Sequence, residues 1–118
     1  MSQAVTSVPH PIPVDLSDLI AQRFRVIGEP LRIRLLDHLR DGESSVHALT
    51  NALGATQQNV SKHLQVLFQA GIVARRKDGT TAMYRIVDSS VFDLCELVCG
   101  GLQRQVAEMN AVVRGETR

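Results

Sequence analysis

The run TQQNVSKHLQVLFQAG, residues 56–71, decides how the rest of the chain is read. Val60, Leu64, Leu67 and Phe68 recur at three- and four-residue spacing, which lays one apolar stripe along a helix. Thr56 is a good N-cap for that helix, and Ala70-Gly71 stops it. Gln58, Lys62, Gln65 and Gln69 gather on the side opposite the stripe, while Gln57, Asn59 and Ser61 stand near the start. Glutamine and asparagine amides can pair with adenine, lysine with guanine or phosphate, and the Thr56 and Ser61 hydroxyls can reach phosphates. The plain alternative is a solvated helix face, since polar outer faces are the norm.

The flanking segments weigh against that alternative. Upstream, Ser45 can cap a short helix that turns Val46, Leu49 and Leu53 inward and stops at Gly54. Two short helices joined at Gly54-Ala55-Thr56 form a helix-turn-helix, in which the second helix projects from the body. Downstream, Ile72-Val73-Ala74 and Ala82-Met83-Tyr84-Arg85-Ile86-Val87 flank a polar tip, Lys77-Asp78-Gly79-Thr80, whose Asp-Gly pair signals a hairpin. This hairpin is expected to be a wing.

Charge is concentrated in the same stretch. The net charge is only +1, yet residues 44–87 carry Lys62, Arg75, Arg76, Lys77 and Arg85 against Asp78 alone. The remaining residues hold 8 basic and 11 acidic side chains. A basic segment on a near-neutral chain suits a polyanion surface, because each neutralised phosphate releases condensed counterions. Arg75, Arg76 and Lys77 lead into the hairpin tip, where arginine can enter a minor groove or grip phosphates, and Tyr84 and Arg85 join the candidate DNA contacts. Edge strands also carry charge simply to discourage aggregation.

Further out, the pattern remains helical. Pro9, Pro11 and Pro13 exclude a helix from an N-terminal arm over residues 1–14. Leu16, Leu19, Ile20, Phe24 and Ile27 then mark an amphipathic first helix, capped by Asp15 or Ser17 and ended by Gly28-Glu29. Pro30 opens a second helix carrying Leu31, Leu35, Leu36 and Leu39. After Asp88, Ser89 and Ser90, any of which can cap it, a last helix keeps Val91, Leu94, Cys95, Val98, Leu102, Val106, Met109 and Val113 on one face. That face is longer than one small core needs, so it requires a partner.

At 118 residues, with 3% aromatic content and no Trp, the chain suits one domain whose core is built from Leu, Val, Ile and Ala. The expected fold is mainly α with a small β-hairpin wing, about five helices, with a body over 15–115 and a tail over 116–118. No run approaches the roughly 20 apolar residues of a membrane span, and the polar N-terminus lacks the regions of a signal peptide. A cytoplasmic, nucleoid-bound protein with reduced cysteines is expected. No Ser/His/Asp set, phosphate loop, HExxH or carboxylate pair points to an enzyme.

Two runs carry a resemblance. RFRVIGEPLRIRLL (23–36) is similar to the F-K-A-L-G-D-P-T-R-L-R-I-L opening of ArsR/SmtB repressors. NVSKHLQVL (59–67), followed by AGIV (70–73), resembles their recognition-helix run. The likeness extends over residues 16–110. It implies a homodimer paired through the first and last helices (Leu16, Leu19, Ile20, Leu94, Val98, Leu102, Val106 and Met109) on double-stranded operator DNA, with ligand binding releasing the operator. It also places His63 among the DNA-facing residues, although the helical wheel puts His63 at the border of the apolar stripe, where it packs or touches phosphate.

The resemblance does not carry over the family's sensing sites. Where arsenite sensors have Cys-Val-Cys-Asp-Leu, this chain has Ser45-Val46-His47-Ala48-Leu49, and the zinc set falls on Asp93, Cys95, Val106 and Met109. His47 and His38 read as ordinary surface histidines. Cys95 and Cys99 stand four apart on one helical face, open to three readings: packing, a thiophilic metal or metalloid site with His10 or a partner residue as third ligand, or a redox switch. Gly100-Gly101 softens the helix beside them. The reading reached is a homodimeric repressor of a pseudo-palindromic operator; the rival is a winged-helix interaction module that neither senses a ligand nor binds DNA.

Overall fold

The computed structural model describes residues 8–116; residues 1–7 of the expected arm and 117–118 of the expected tail lie outside it. Along the chain run α1 (Val14–Ile27), α2 (Pro30–Leu39), β1 (Ser44–Ser45), α3 (Val46–Leu53), α4 (Gln57–Gln69), β2 (Val73–Asp78), β3 (Thr81–Ile86) and α5 (Ser90–Val113). The three strands form one antiparallel sheet in the order β1-β3-β2. β1 is a strand that two serines do not announce; it exists because Ser44 pairs with Tyr84 and Ser45 with Met83.

Local chemistry explains most of the boundaries. Ser45 accepts the Ala48 N–H at 3.0 Å and Thr56 accepts the Asn59 N–H at 3.2 Å, so both helices of the helix-turn-helix start on side-chain caps. Between them Gly54 takes φ 65°, the left-handed end that a residue with Cβ resists. Glu29 caps α2 through the Arg32 N–H, and Pro30 occupies its first turn. The hairpin is tighter than its sequence suggests. Asp78 pairs with Thr81, leaving a two-residue loop in which Gly79 takes φ 65°, so Lys77 and Asp78 belong to the strand.

One expected cap is absent and the other resolves among its candidates. α1 begins after Pro13 with no side-chain cap, and Ser17 instead donates to the Val14 carbonyl. At α5 the half-in residue is Ser89, but Asp88 takes both the Ser90 N–H and hydroxyl.

The core lies beneath the helix-turn-helix. Leu35, Leu36 and Leu39 from α2, Leu49 from α3, and Val60, Leu64 and Leu67 from α4 are buried together with Ile72, Val73, Tyr84 and Val91. In contrast, α5 stays in one piece through Gly100-Gly101 and runs beyond the core; 24 residues at 1.5 Å per residue span about 36 Å. The radius of gyration is therefore 17.9 Å, well above the roughly 13–14 Å of a compact chain this long. Among the described residues no helix is long and apolar enough to cross a membrane.

Candidate nucleic-acid interface

Burying Val60, Leu64 and Leu67 leaves Gln57, Gln58, Asn59, Ser61, Lys62, Gln65 and Gln69 exposed along the outside of α4. Thr56 is exposed too, and although its oxygen serves the cap, the hydroxyl hydrogen is free to donate. This is the amide-rich face that the spacing predicts.

The wing stands beside it, and its cations divide into two kinds. Arg75 lies 4.4 Å above the Phe68 ring, and its Nη1 donates to Gln65 Oε1 at 3.3 Å, so it ties β2 to the last turn of α4. Arg76 donates through Nε and Nη2 to both carboxylate oxygens of Glu43, each at 2.7 Å. This fork holds the Glu43 carboxyl below its ordinary value of 4.5 and raises Arg76, against the opposing cost of desolvation. Lys62, Lys77 and Arg85 make no ion pair among the described residues. Two arginines of the basic segment thus brace the wing, while three other cations face solvent without a partner.

Two candidate contacts need correction. Tyr84 is 5% exposed: alternation along β3 turns it to the core, between Ser44 and Arg75 in the ladder, and leaves Arg85 outside. His63 faces α2, with its side chain 12% exposed and its Nδ1 2.8 Å from Arg32 Nη1. The wheel border at which it sits resolves inward because Arg32 meets it there. Glu29, Arg32 and Glu43 are partners of the candidate site residues that sequence reasoning missed. Glu43 stands one residue outside the basic segment, which is a signal of sorts; for Arg32 there is none.

The expected pairing face is open in this protomer. Leu19, Phe24, Val98, Leu102, Val106 and Met109 are exposed, whereas Leu16, Ile20 and Leu94 are half-buried. Phe24, from the apolar face of α1, joins this group. Cys95 is half-buried and Cys99 exposed; both line an apolar cavity of about 440 Å³ with Phe24, Ile27, Ile33, Leu94, Val98 and Leu102. Among the described residues no three His, Cys, Asp or Glu side chains form a metal-holding group, so His10 is not brought to the thiols. His47 bonds locally to Asn51 at 3.2 Å, and His38 is exposed on α2.

A family described as a helix-turn-helix domain matches residues 27–76. The HTH-type transcriptional regulator KmtR of Mycobacterium tuberculosis is 38% identical over 88 residues, which cover 75% of this chain and 68% of KmtR. The solution structure of a homodimeric winged helix-turn-helix DNA-binding domain from Mycobacterium bovis, described as a possible ArsR-family regulator, superposes with a TM-score of 0.68 at 31% identity, covering 80% of this chain and 87% of that one. The crystal structure of AntR, an antimony-specific transcriptional repressor, gives 0.69 at 30% identity over 89% of this chain and 99% of that one. Taken with the capped helix pair, the wing and the amide-rich outer face of α4, these likenesses show that the chain belongs to the ArsR/SmtB family of winged helix-turn-helix DNA-binding transcriptional regulators.

Proposed function

We propose that the protein is a homodimeric repressor that reads a pseudo-palindromic operator with α4 and grips the flanking phosphates with the wing. The observation that carries this reading is the outer face of α4: a row of exposed amides around Lys62, of which only Gln65 is engaged, by Arg75, beside a wing that carries Lys77 and Arg85. Gln57, Gln58, Asn59 and Gln65 reach base edges, while Thr56, Ser61, Lys62, Lys77 and Arg85 hold the backbone. Arg75 and Arg76 act mainly by holding the wing at the angle that the groove requires. A two-fold axis through the exposed α1 and α5 faces sets the two recognition helices about 34 Å apart, one turn of DNA. The body spans 15–115, flanked by the arm (1–14) and the tail (116–118), and the protein works in the cytoplasm on nucleoid DNA.

The effector site is Cys95 and Cys99. Helical spacing puts both thiols on one face, beside an apolar cavity that is open on one side in this protomer. A thiophilic metal or metalloid, or a thiol-reactive species, fits two sulfurs; a third ligand would come from the partner subunit or the solution. AntR, similar in fold, is named for a metalloid.

Binding to the DNA upstream of the protein's own gene, with and without arsenite, antimonite, zinc, peroxide and polysulfide, tests both parts. Gln58→Ala with Lys62→Ala should weaken binding by at least tenfold and lower the salt slope by about 0.9. Unchanged binding would favour an interaction module that does not touch DNA. Cys95→Ser and Cys99→Ser should each abolish the ligand response; a response that survives both would remove the thiols from the mechanism.

A further inference from the structure

Resting on the reading of α4 as the DNA-reading helix, we infer that Arg32 is a positioning residue for DNA recognition, acting through His63. It sits in the first turn of α2, yet its guanidinium is spent on two other helices. Nε donates to the Val26 carbonyl at 2.5 Å and Nη2 to the Arg25 carbonyl at 3.4 Å, satisfying the open end of α1. Nη1 meets His63 Nδ1, on α4, at 2.8 Å.

A guanidinium has donors only, so this contact requires His63 Nδ1 to accept, which leaves the ring N–H on Nε2. Glu29 stands on the same side, with Oε2 3.6 Å from Nδ1 and accepting the Arg32 N–H at 3.0 Å. Its carboxylate is thereby aligned with the arginine.

The bridge matters because it crosses a gap between α1 and α4 beside the core that both helices join through Ile27, Leu64 and Leu67. A cleft of about 300 Å³ lies between them, lined by Gln22 and Val26 on α1 and by Gln65, Val66 and Gln69 on α4. Val26 is both a wall of that cleft and an anchor of the arginine. Arg32 thus sets the angle of the recognition helix against α1, the helix that carries the exposed pairing face. In a two-fold reader that angle decides whether both helices meet the groove at once, so the bond affects affinity without touching DNA.

Two histidine replacements separate positioning from contact. The Asn Oδ1 takes the place of Nδ1 and can accept from Arg32, whereas the Gln side-chain nitrogen takes the place of Nε2–H. The probe is a duplex selected by the wild-type protein from a random library. His63→Asn should bind it within about threefold of wild type, while His63→Gln, His63→Ala and Arg32→Ala each lose about tenfold. The slope of log affinity against log salt should stay unchanged in all four, because no phosphate contact is lost. On the free full chain, ¹⁵N spectra should show the His63 Nε2–H form in wild type and a tautomer mixture in Arg32→Lys, which keeps the charge but not the fork. If His63→Gln binds like wild type while His63→Asn fails and the slope falls by about one, His63 touches phosphate and the inference is overturned. A ¹⁵N pattern indifferent to residue 32 overturns it as well. Failure of the wild-type protein to select any duplex would defeat the DNA-reading proposal instead, with the tautomer result still deciding the contact.

Discussion

The head made by α3, α4 and the wing and the layer made by α1 and α5 handle their apolar surface in opposite ways. In the head, each apolar stripe meets another within the chain, and Leu49, Val60, Leu64 and Leu67 are wholly buried. In the layer, α5 carries an equally regular stripe, but Val98, Leu102, Val106 and Met109 remain open to water. One region is finished by its own fold, whereas the other is finished only by a second protein surface. The polar residues divide in the same way. The head holds its arginines through Glu43 and Phe68, while α5 sets two thiols beside an apolar cavity.

The sharpest way to break this comparison is to charge the open layer. Leu102→Glu with Met109→Glu should convert a dimer to a monomer in sedimentation and reduce operator affinity by at least a hundredfold, since a lone head holds one half-site. Circular dichroism should not change, because the two side chains are 56% and 63% exposed in the protomer. A variant that still sediments as a dimer would move the interface elsewhere. Next in size, Leu64→Ala should cost about 2–5 kcal/mol in denaturant unfolding by opening a cavity in the closed core. Leu97→Ala, at a 73% exposed site, should stay within about 0.5 kcal/mol. Equal costs would refute the division into closed and open regions.

The smallest effect is expected at the wing. Glu43 has a lowered pKa in the fold, so its contact with Arg76 contributes fully above the ordinary value of 4.5 and is lost as pH falls below it. Both side chains are solvent-facing, which keeps the contribution small. Glu43→Gln should therefore speed amide exchange in Arg76–Asp78 at neutral pH and flatten its dependence on acid. Unaltered exchange would show that the hairpin holds its angle without this pair.

What was legible follows from distance along the chain. Caps at Ser45 and Thr56 and the left-handed stop at Gly54 depend on neighbours within four residues, and they stand where the pattern puts them, while the Asp-Gly hairpin forms there with a shorter tip. The outer face of α4 was legible for the same reason, because a stripe of 3.6 period defines its own opposite. Strand β1, the Arg76–Glu43 fork and the Arg32–His63 contact join residues some thirty or more apart, and no periodicity encodes such meetings. Tyr84 faces inward because alternation along β3 turns it to the core, and His63, at the border of the stripe, faces inward because Arg32 meets it there.

By itself, then, the sequence determined the helices, the turn between α3 and α4, and the amide-rich face, since local sterics and hydrophobic period act before the chain is folded. The tertiary structure alone decided which cations of the basic segment stay unpaired among the described residues and which brace the wing. That choice depends on side chains from distant segments arriving within hydrogen-bond reach, and only the packed core sets those distances.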